Sequence, residues 1–305
     1  MRLPVTHTLV FGVSPTGGNP APIVFGADGL LAQQMQAIAA HFGEETAFVL
    51  KPVDPAADVR LRYFVPLHEM EMCVHATVGT IIAGLQHNSW NKSPVHVETA
   101  LGIVAAHWHE MSDDSIRVMV EQFPPTLSLH NPSREQVATT LGISPEVIAD
   151  TASPIQSVST SRPKLIIPLN SWSDLDGLQP DFEQLWALCD TFNTTGFYPF
   201  TVRALDPTVQ VEARRYPKRA GYNEDPATGV AASALSAYLA KYELLGPYSH
   251  GWHTVKVGQG RAMGRPAVIH TDVYTENGDV TMTRVGGTAA LVSSETLDIL
   301  VSKAG

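Results

Sequence analysis

The sequence predicts an α+β protein made of two pseudo-symmetric halves, each a mostly antiparallel, barrel-like sheet wrapped round a central helix. Three observations predict it. Residues 78–85 (VGTIIAGL) and 230–239 (VAASALSAYL) are helical in pattern and carry no charge on any face, so each must be buried all round. Segments with strand patterning precede and follow both of them. The chain also lacks the regular alternation of strand and helix that builds a purely parallel sheet.

Taken in order, residues 1–10 alternate as a strand, and Pro15, Gly17, Gly18 and Pro20 make a turn before a second strand at 21–25. Asp28 is placed to cap a helix whose apolar stripe is Leu31, Met35, Ile38, Ala39 and Phe42, with Gly43 as its stop. Strands follow at 44–50 and 60–65, the second ended by Pro66. Beyond the first central helix come strands at 95–98, 102–108 and 116–122. Pro124-Pro125 then marks a boundary between an N-terminal half, 1–125, and a C-terminal half, 126–305, whose last strand is able to return to the first half. Ser133 and Gln136 form a capping box for a helix with Val137, Leu141 and Ile143 on its apolar face. Strands at 164–169, 196–204 and 209–216 flank a helix near 182–189 and lead to the second central helix. Strands at 253–258, 267–274, 280–285 and 289–292 complete the series.

Composition narrows the function. At 305 residues the chain is long enough for one large domain or two ordinary ones, with a substantial core. Only 16% of residues are charged and the formal net charge is −10, with no run of Lys or Arg, which argues against nucleic acid or an anionic membrane as partner. An anionic small molecule would need local capture by backbone dipoles or a few cations. The two cysteines, Cys73 and Cys189, exclude a disulfide scaffold and a thiolate metal cluster and fit a reduced, cytoplasmic setting. Neither a signal peptide nor an apolar run of roughly 20 residues is present, so a soluble intracellular protein is expected.

The two uncharged helices each begin at a polar motif: Cys73-Val74-His75-Ala76-Thr77 and Glu224-Asp225-Pro226-Ala227-Thr228-Gly229. A helix N-terminus, with unpaired N–H groups and the positive end of its dipole, offsets the cost of burying a carboxylate there. Asp225 followed by Pro226 reads as an N-cap with Pro at the first helical position, and capping alone also explains the pair. His75 is a polar partner or a packing residue. The pair Glu44-Glu45 is either a solvated edge or brings a carboxyl group into an apolar cleft, where its raised pKa suits proton exchange with carbon near neutral pH. Cys73 is a candidate thiolate or an inert buried cysteine. His107 and His109 share a strand face, but no third metal ligand matches them. Gly17-Gly18 and Gly286-Gly287 form neither a dinucleotide nor a P-loop signature, and no serine-hydrolase elbow is present.

Further motifs fall in a fixed order along the chain: Gly18-Asn19-Pro20, Glu45-Thr46-Ala47-Phe48, the two helix-opening motifs, Gly258-Gln259-Gly260, Gly264-Arg265-Pro266 and Val285-Gly286-Gly287. In these motifs, nearly end to end, the chain resembles the PhzF-like isomerase family, named for its phenazine-biosynthesis member and related in fold to diaminopimelate epimerase. The resemblance implies barrel-like halves with the active site between two helix N-termini. It also implies a cofactor-free, metal-free isomerase that moves a proton between carbons of a small carboxylate, often as a homodimer. By motif matching, Glu45 is the acid/base group and His75 and Asp225 are its polar partners. Asn19, Val74, Thr77, Thr228, Gly229 and Val230 are the substrate-binding positions. Family members usually carry Gly in place of Val74 and Ser in place of Val230, so this pocket is expected to be smaller and more apolar. Two other readings stand beside the isomerase: a thiol-dependent amino-acid racemase or epimerase using Cys73, and a catalytically inactive binder of small carboxylates.

Overall fold

The structure is a computed structural model that describes residues 2–149 and 153–299. Its contacts divide it into two compact units. One takes Pro20–Val120 together with the first strand, up to Val10, and the segment from Thr288 on; the other takes Phe11–Asn19 and Glu121–Gly287.

In the first unit, β1 (Arg2–Val10) pairs antiparallel along its whole length with β18 (Ala289–Asp298), the last strand among the described residues. β2 (Asn19–Val24) crosses through α1 (Ala32–Phe42) to β3 (Thr46–Leu50), which lies parallel to it. β3 returns antiparallel into β4 (Val59–Phe64), which also pairs with the short β5 (Glu69–Met70). The chain then crosses through α2 (Val74–Gln86) to β6 (Val95–Thr99), parallel to β4. β7 (Gly102–Glu110) and β8 (Ile116–Gln122) follow as antiparallel neighbours.

The second unit repeats that order. β9 (Thr126–Leu127) precedes α3 (Arg134–Leu141) and pairs antiparallel with β10 (Gln156–Ser159), which pairs antiparallel with β11 (Lys164–Pro168). Through α4 (Trp172–Asp176) and α5 (Phe182–Thr191) the chain crosses to β12 (Gly196–Thr201), parallel to β11. β13 (Val211–Ala213) and β14 (Tyr216–Pro217) lie antiparallel to β12. Then α6 (Gly229–Lys241) crosses to β15 (Gly251–Gln259), parallel to β13, and β16 (Ala267–Glu276) and β17 (Asp279–Gly287) close the unit antiparallel.

Each unit is therefore α+β, a curled mixed sheet around a buried helix. The expected antiparallel character holds except at the helical crossovers, where the strands on either side run parallel, as a crossover connection requires. All residues of α2 from Val74 to Gly84, and all of α6 from Gly229 to Ala240, are buried. α2 packs on β1, β3 and β18; α6 packs on β10, β11, β16 and β17. Several of their polar side chains bond within the helix or to the sheet. Thr80 Oγ1 donates to the Ala76 carbonyl at 2.7 Å, Ser236 Oγ to the Ser233 carbonyl at 2.9 Å, and Ser233 and Thr283 share a bond of 2.9 Å.

Some local expectations change. The capping box at Ser133 and Gln136 forms, and Gly43 ends α1 at φ 70°. Asp28 does not cap α1: it lies in a 3₁₀ turn, Ala27–Gly29, and accepts from the Lys51 N–H at 2.8 Å. Leu31 is the N-cap, with the Gln34 side chain accepting its N–H at 2.9 Å. Among the described residues no helix is long and apolar enough to cross a membrane.

Close packing on α2 depends on small residues. A Cβ on Gly84 would lie 2.1 Å from Cζ2 of Trp90, whose indole N–H is held by the Ile81 carbonyl at 3.0 Å. Gly84→Ala is expected to destabilise the protein by about 1–3 kcal/mol through overpacking. Urea unfolding checks this, since an unchanged midpoint would mean that Trp90 yields freely.

Candidate active site

Glu45 stands between the C-terminal glycine of α1 and the first residue of β3, while Cys73 is the N-cap of α2 and His75 its second residue. This local chain path gathers three ionisable side chains. Cys73 Sγ donates to Glu45 Oε2 at 2.9 Å and lies 3.3 Å from His75 Nδ1, which is 3.6 Å from the same carboxylate oxygen. The His75 side chain is 3% exposed and that of Glu45 12% exposed, so the carboxylate is the member that solvent reaches. The first N–H groups of α2 have no carbonyl partner within the helix and lie at the same end.

Thr77 and Val74 complete this corner. Thr77 Oγ1 donates to the Cys73 carbonyl at 2.7 Å and receives the Tyr63 hydroxyl at 2.7 Å. Burial pushes the Tyr63 phenol far above its usual pKa, which keeps it a donor. The Thr77 hydroxyl thus fixes the helix start, and only its backbone region is left for a ligand. Val74 is buried in the first turn, and it is not among the residues with positive φ, so the helical backbone accommodates its β-branch without strain.

In the second unit the polar residues gather around Asp225. Its carboxylate accepts Asn19 Nδ2 at 2.6 Å and the Thr228 hydroxyl, and Asn19 Nδ2 also reaches the Ala227 carbonyl at 2.8 Å. Sequence places Asp225 as the N-cap of the second buried helix; instead α6 starts at Gly229 and Thr228 is its N-cap. The reason is the bonding of the loop. The Asp225 N–H donates to the Arg215 carbonyl at 3.0 Å, which holds the residue three positions ahead of the cap. Gly229 and Val230 are the first helical residues, and their N–H groups have no intrahelical acceptor. Glu224, in the same motif, is taken up by a two-pronged pair with Arg214, at 2.9 and 2.8 Å.

Three residues of this corner were not singled out as site residues from sequence. Gln259 Nε2 donates to the Asp225 carbonyl at 2.6 Å, and its Oε1 accepts the Thr228 N–H at 3.2 Å and the Tyr198 hydroxyl at 2.9 Å. One amide side chain thereby ties both ends of the Asp225–Thr228 loop. Arg215 is wholly buried and donates to the carbonyls of Thr195, Phe197 and Tyr216. Burial draws its pKa down to about 10, against the opposing pull of the Asp225 charge, so it stays cationic at neutral pH. The sequence signal for Gln259 was its place between Gly258 and Gly260; Tyr198, inside β12, and Arg215, between β13 and β14, give none.

The remaining candidates separate from these corners. Cys189 lies on α5 inside an apolar cluster with Leu185 and Phe197, where burial pushes its thiol up to about 11. It is a packing residue, which leaves Cys73 as the chemically placed thiol. His107 and His109 on β7 join no group of three ligand side chains among the described residues.

A family model described as phenazine biosynthesis-like protein matches residues 9–295. The uncharacterized isomerase YddE of Escherichia coli (strain K12) is 32% identical over 295 residues, spanning 96% of this chain and 97% of that one. The trans-2,3-dihydro-3-hydroxyanthranilate isomerase of Pseudomonas chlororaphis is 28% identical over 279 residues, spanning 91% and 92%. The crystal structure of the Bacillus anthracis phenazine biosynthesis protein, PhzF family, matches with a TM-score of 0.87 at 29% identity, over 98% of this chain and 100% of that one. With its buried helices, the polar corners at their N-termini and this end-to-end match, the chain belongs to the phenazine biosynthesis-like PhzC-PhzF family.

Proposed function

We propose that the chain is a cofactor-independent isomerase that moves a proton between two carbons of a small carboxylate-bearing metabolite, with Glu45 as the acid/base group. The observation that carries this reading is the Glu45 carboxylate, nearly buried, reachable by solvent and bonded at 2.9 Å to the Cys73 thiol. A carboxylate oxygen so placed takes a proton from a substrate carbon and returns it elsewhere on the same molecule, with no change of oxidation state. The E. coli and Pseudomonas chlororaphis relatives are both named isomerases, and the name of the second includes a carboxylate substrate.

The other residues take supporting roles. His75 is the polar partner of Glu45 in the first unit. N–H groups near Thr77 at the start of α2, and separately those near Gly229 and Val230 at the start of α6, suit a carboxylate, because helix N-termini favour anions. Asp225, held by Asn19 and Thr228, serves the same reaction as a second polar partner. Val74 and Val230 supply apolar contact where a hydroxyl or a bare backbone would otherwise meet the ligand.

Glu45→Gln keeps shape and removes the proton carrier. It is expected to lower kcat by roughly 10²–10⁴-fold, the usual contribution of a general acid/base. Candidate carboxylates, trans-2,3-dihydro-3-hydroxyanthranilate among them, turned over in deuterated water and read by NMR provide the check. Equal deuterium incorporation by variant and wild type would sink the assignment. Serine at 73 retains a hydroxyl donor for Glu45, so Cys73→Ser is expected to cost less than about tenfold. A loss as deep as that of Glu45→Gln would move the chemistry to the thiol. Asp225→Asn removes the charge that Asn19 and Thr228 donate to, and a loss of about 10–100-fold in kcat/KM is expected from hydrogen bonds of that class. An unchanged kcat/KM would take Asp225 out of the reaction.

A further inference from the structure

Among the described residues, one set of three metal-ligating side chains has its donor atoms clustered: Glu45, Cys73 and His75. We propose that this triad is a binding site for a thiophilic divalent cation of the zinc class, and that the ion blocks turnover by taking the Glu45 carboxylate as a ligand. The blocking half rests on the reading of Glu45 as proton carrier; the binding half does not.

Geometry supports the site. Tetrahedral zinc with bonds of about 2.3 Å to sulfur and about 2.0–2.2 Å to nitrogen and oxygen places its ligand atoms roughly 3.4–3.6 Å apart. The Sγ–Nδ1 separation of 3.3 Å and the Nδ1–Oε2 separation of 3.6 Å already match two edges of such a face. The third, Sγ–Oε2, is 2.9 Å and must open by about 0.7 Å at most to match zinc geometry. Glu45 absorbs this, since it is the most exposed of the three and turns about several side-chain bonds. Cys73 and His75 need not move, being fixed by the start of α2.

Donor chemistry selects the ion. One thiolate, one imidazole and one carboxylate form a borderline-soft set that suits zinc and its neighbours and not magnesium or calcium, which require oxygen ligands. As the sulfur–metal bond forms, the Cys73 thiol gives its proton to solvent; nothing is oxidised or reduced. Thiolate and carboxylate together neutralise the divalent charge, which offsets the unfavourable positive end of the α2 dipole. Three protein ligands leave a fourth position for water or a substrate oxygen.

The test uses the full chain, reduced, titrated with cobalt(II) as a spectroscopic probe. A thiolate-to-cobalt charge-transfer band and the strong visible absorption of four-coordinate cobalt should saturate at one equivalent and be displaced by zinc. Cys73→Ala should abolish the band and Cys189→Ala should leave it. Glu45→Gln should weaken cobalt binding by at least the roughly tenfold that even an outer-shell change costs. Absence of the band in the wild type, or its survival in Cys73→Ala, overturns the site. Should Cys73→Ala not fold, protection of Cys73 from iodoacetamide by zinc, read by peptide mass, takes its place, and alkylation unaffected by zinc overturns the proposal. Zinc should also abolish turnover, restored by EDTA. Binding with undiminished turnover overturns the blocking role and leaves the proton-transfer reading to its own test.

Discussion

A helix with no charged face tolerates solvent nowhere along its length. That constraint shapes both units. Burying α2 and α6 on all sides requires strands on more than one flank, and the chain supplies them by crossing through each helix from one strand to a parallel one and then adding antiparallel neighbours. The curl of the sheet is the geometric result. The one part of such a helix that cannot be made apolar is its first turn, whose N–H groups find no carbonyl within the helix. Polar side chains accumulate there because it is the position where a buried negative group costs least.

The two starts meet this requirement differently. At α2 the side chains form a compact set in which thiol, imidazole and carboxylate touch one another, and the carboxylate comes from a separate segment. At α6 the carboxylate comes from the loop just ahead of the helix and is locked by two donors and by a glutamine that ties the loop ends. One carboxylate is bonded by a weak thiol donor and partly exposed; the other is tightly held and buried.

Much of this was legible in the residues. The absence of charge over 78–85 and 230–239 gave the central helices, and Ser133 with Gln136 located the start of α3 to the residue. What could not be read was long-range pairing. Asp225 carries every local mark of an N-cap, but it bonds to Asn19, distant in sequence, and to the Arg215 carbonyl across the loop, and the helix starts at Gly229. The same holds for Asp28, which serves the Lys51 backbone and not α1. Gln259, Tyr198 and Arg215 belong to the Asp225 corner through tertiary bonds, and no spacing rule reports those. Glu45 was legible as a candidate from its neighbours Gly43 and the apolar strand, while its contact with Cys73 depends on a separation of 28 residues.

The pairing of β1 with β18 has a consequence for how the protein comes into being. The outer wall of α2 is built from residues near the start of the chain and from residues near 290, so the first unit is incomplete until almost the whole chain has been made. The second unit likewise joins an early segment, Phe11–Asn19, to Glu121–Gly287. Neither half is a contiguous segment that can be excised at the Pro124-Pro125 boundary. During synthesis α2 lacks its β18 flank until residues 289–298 have been made, whereas the second unit draws on nothing beyond Gly287. The order of synthesis and the order of completion are thus reversed in this fold.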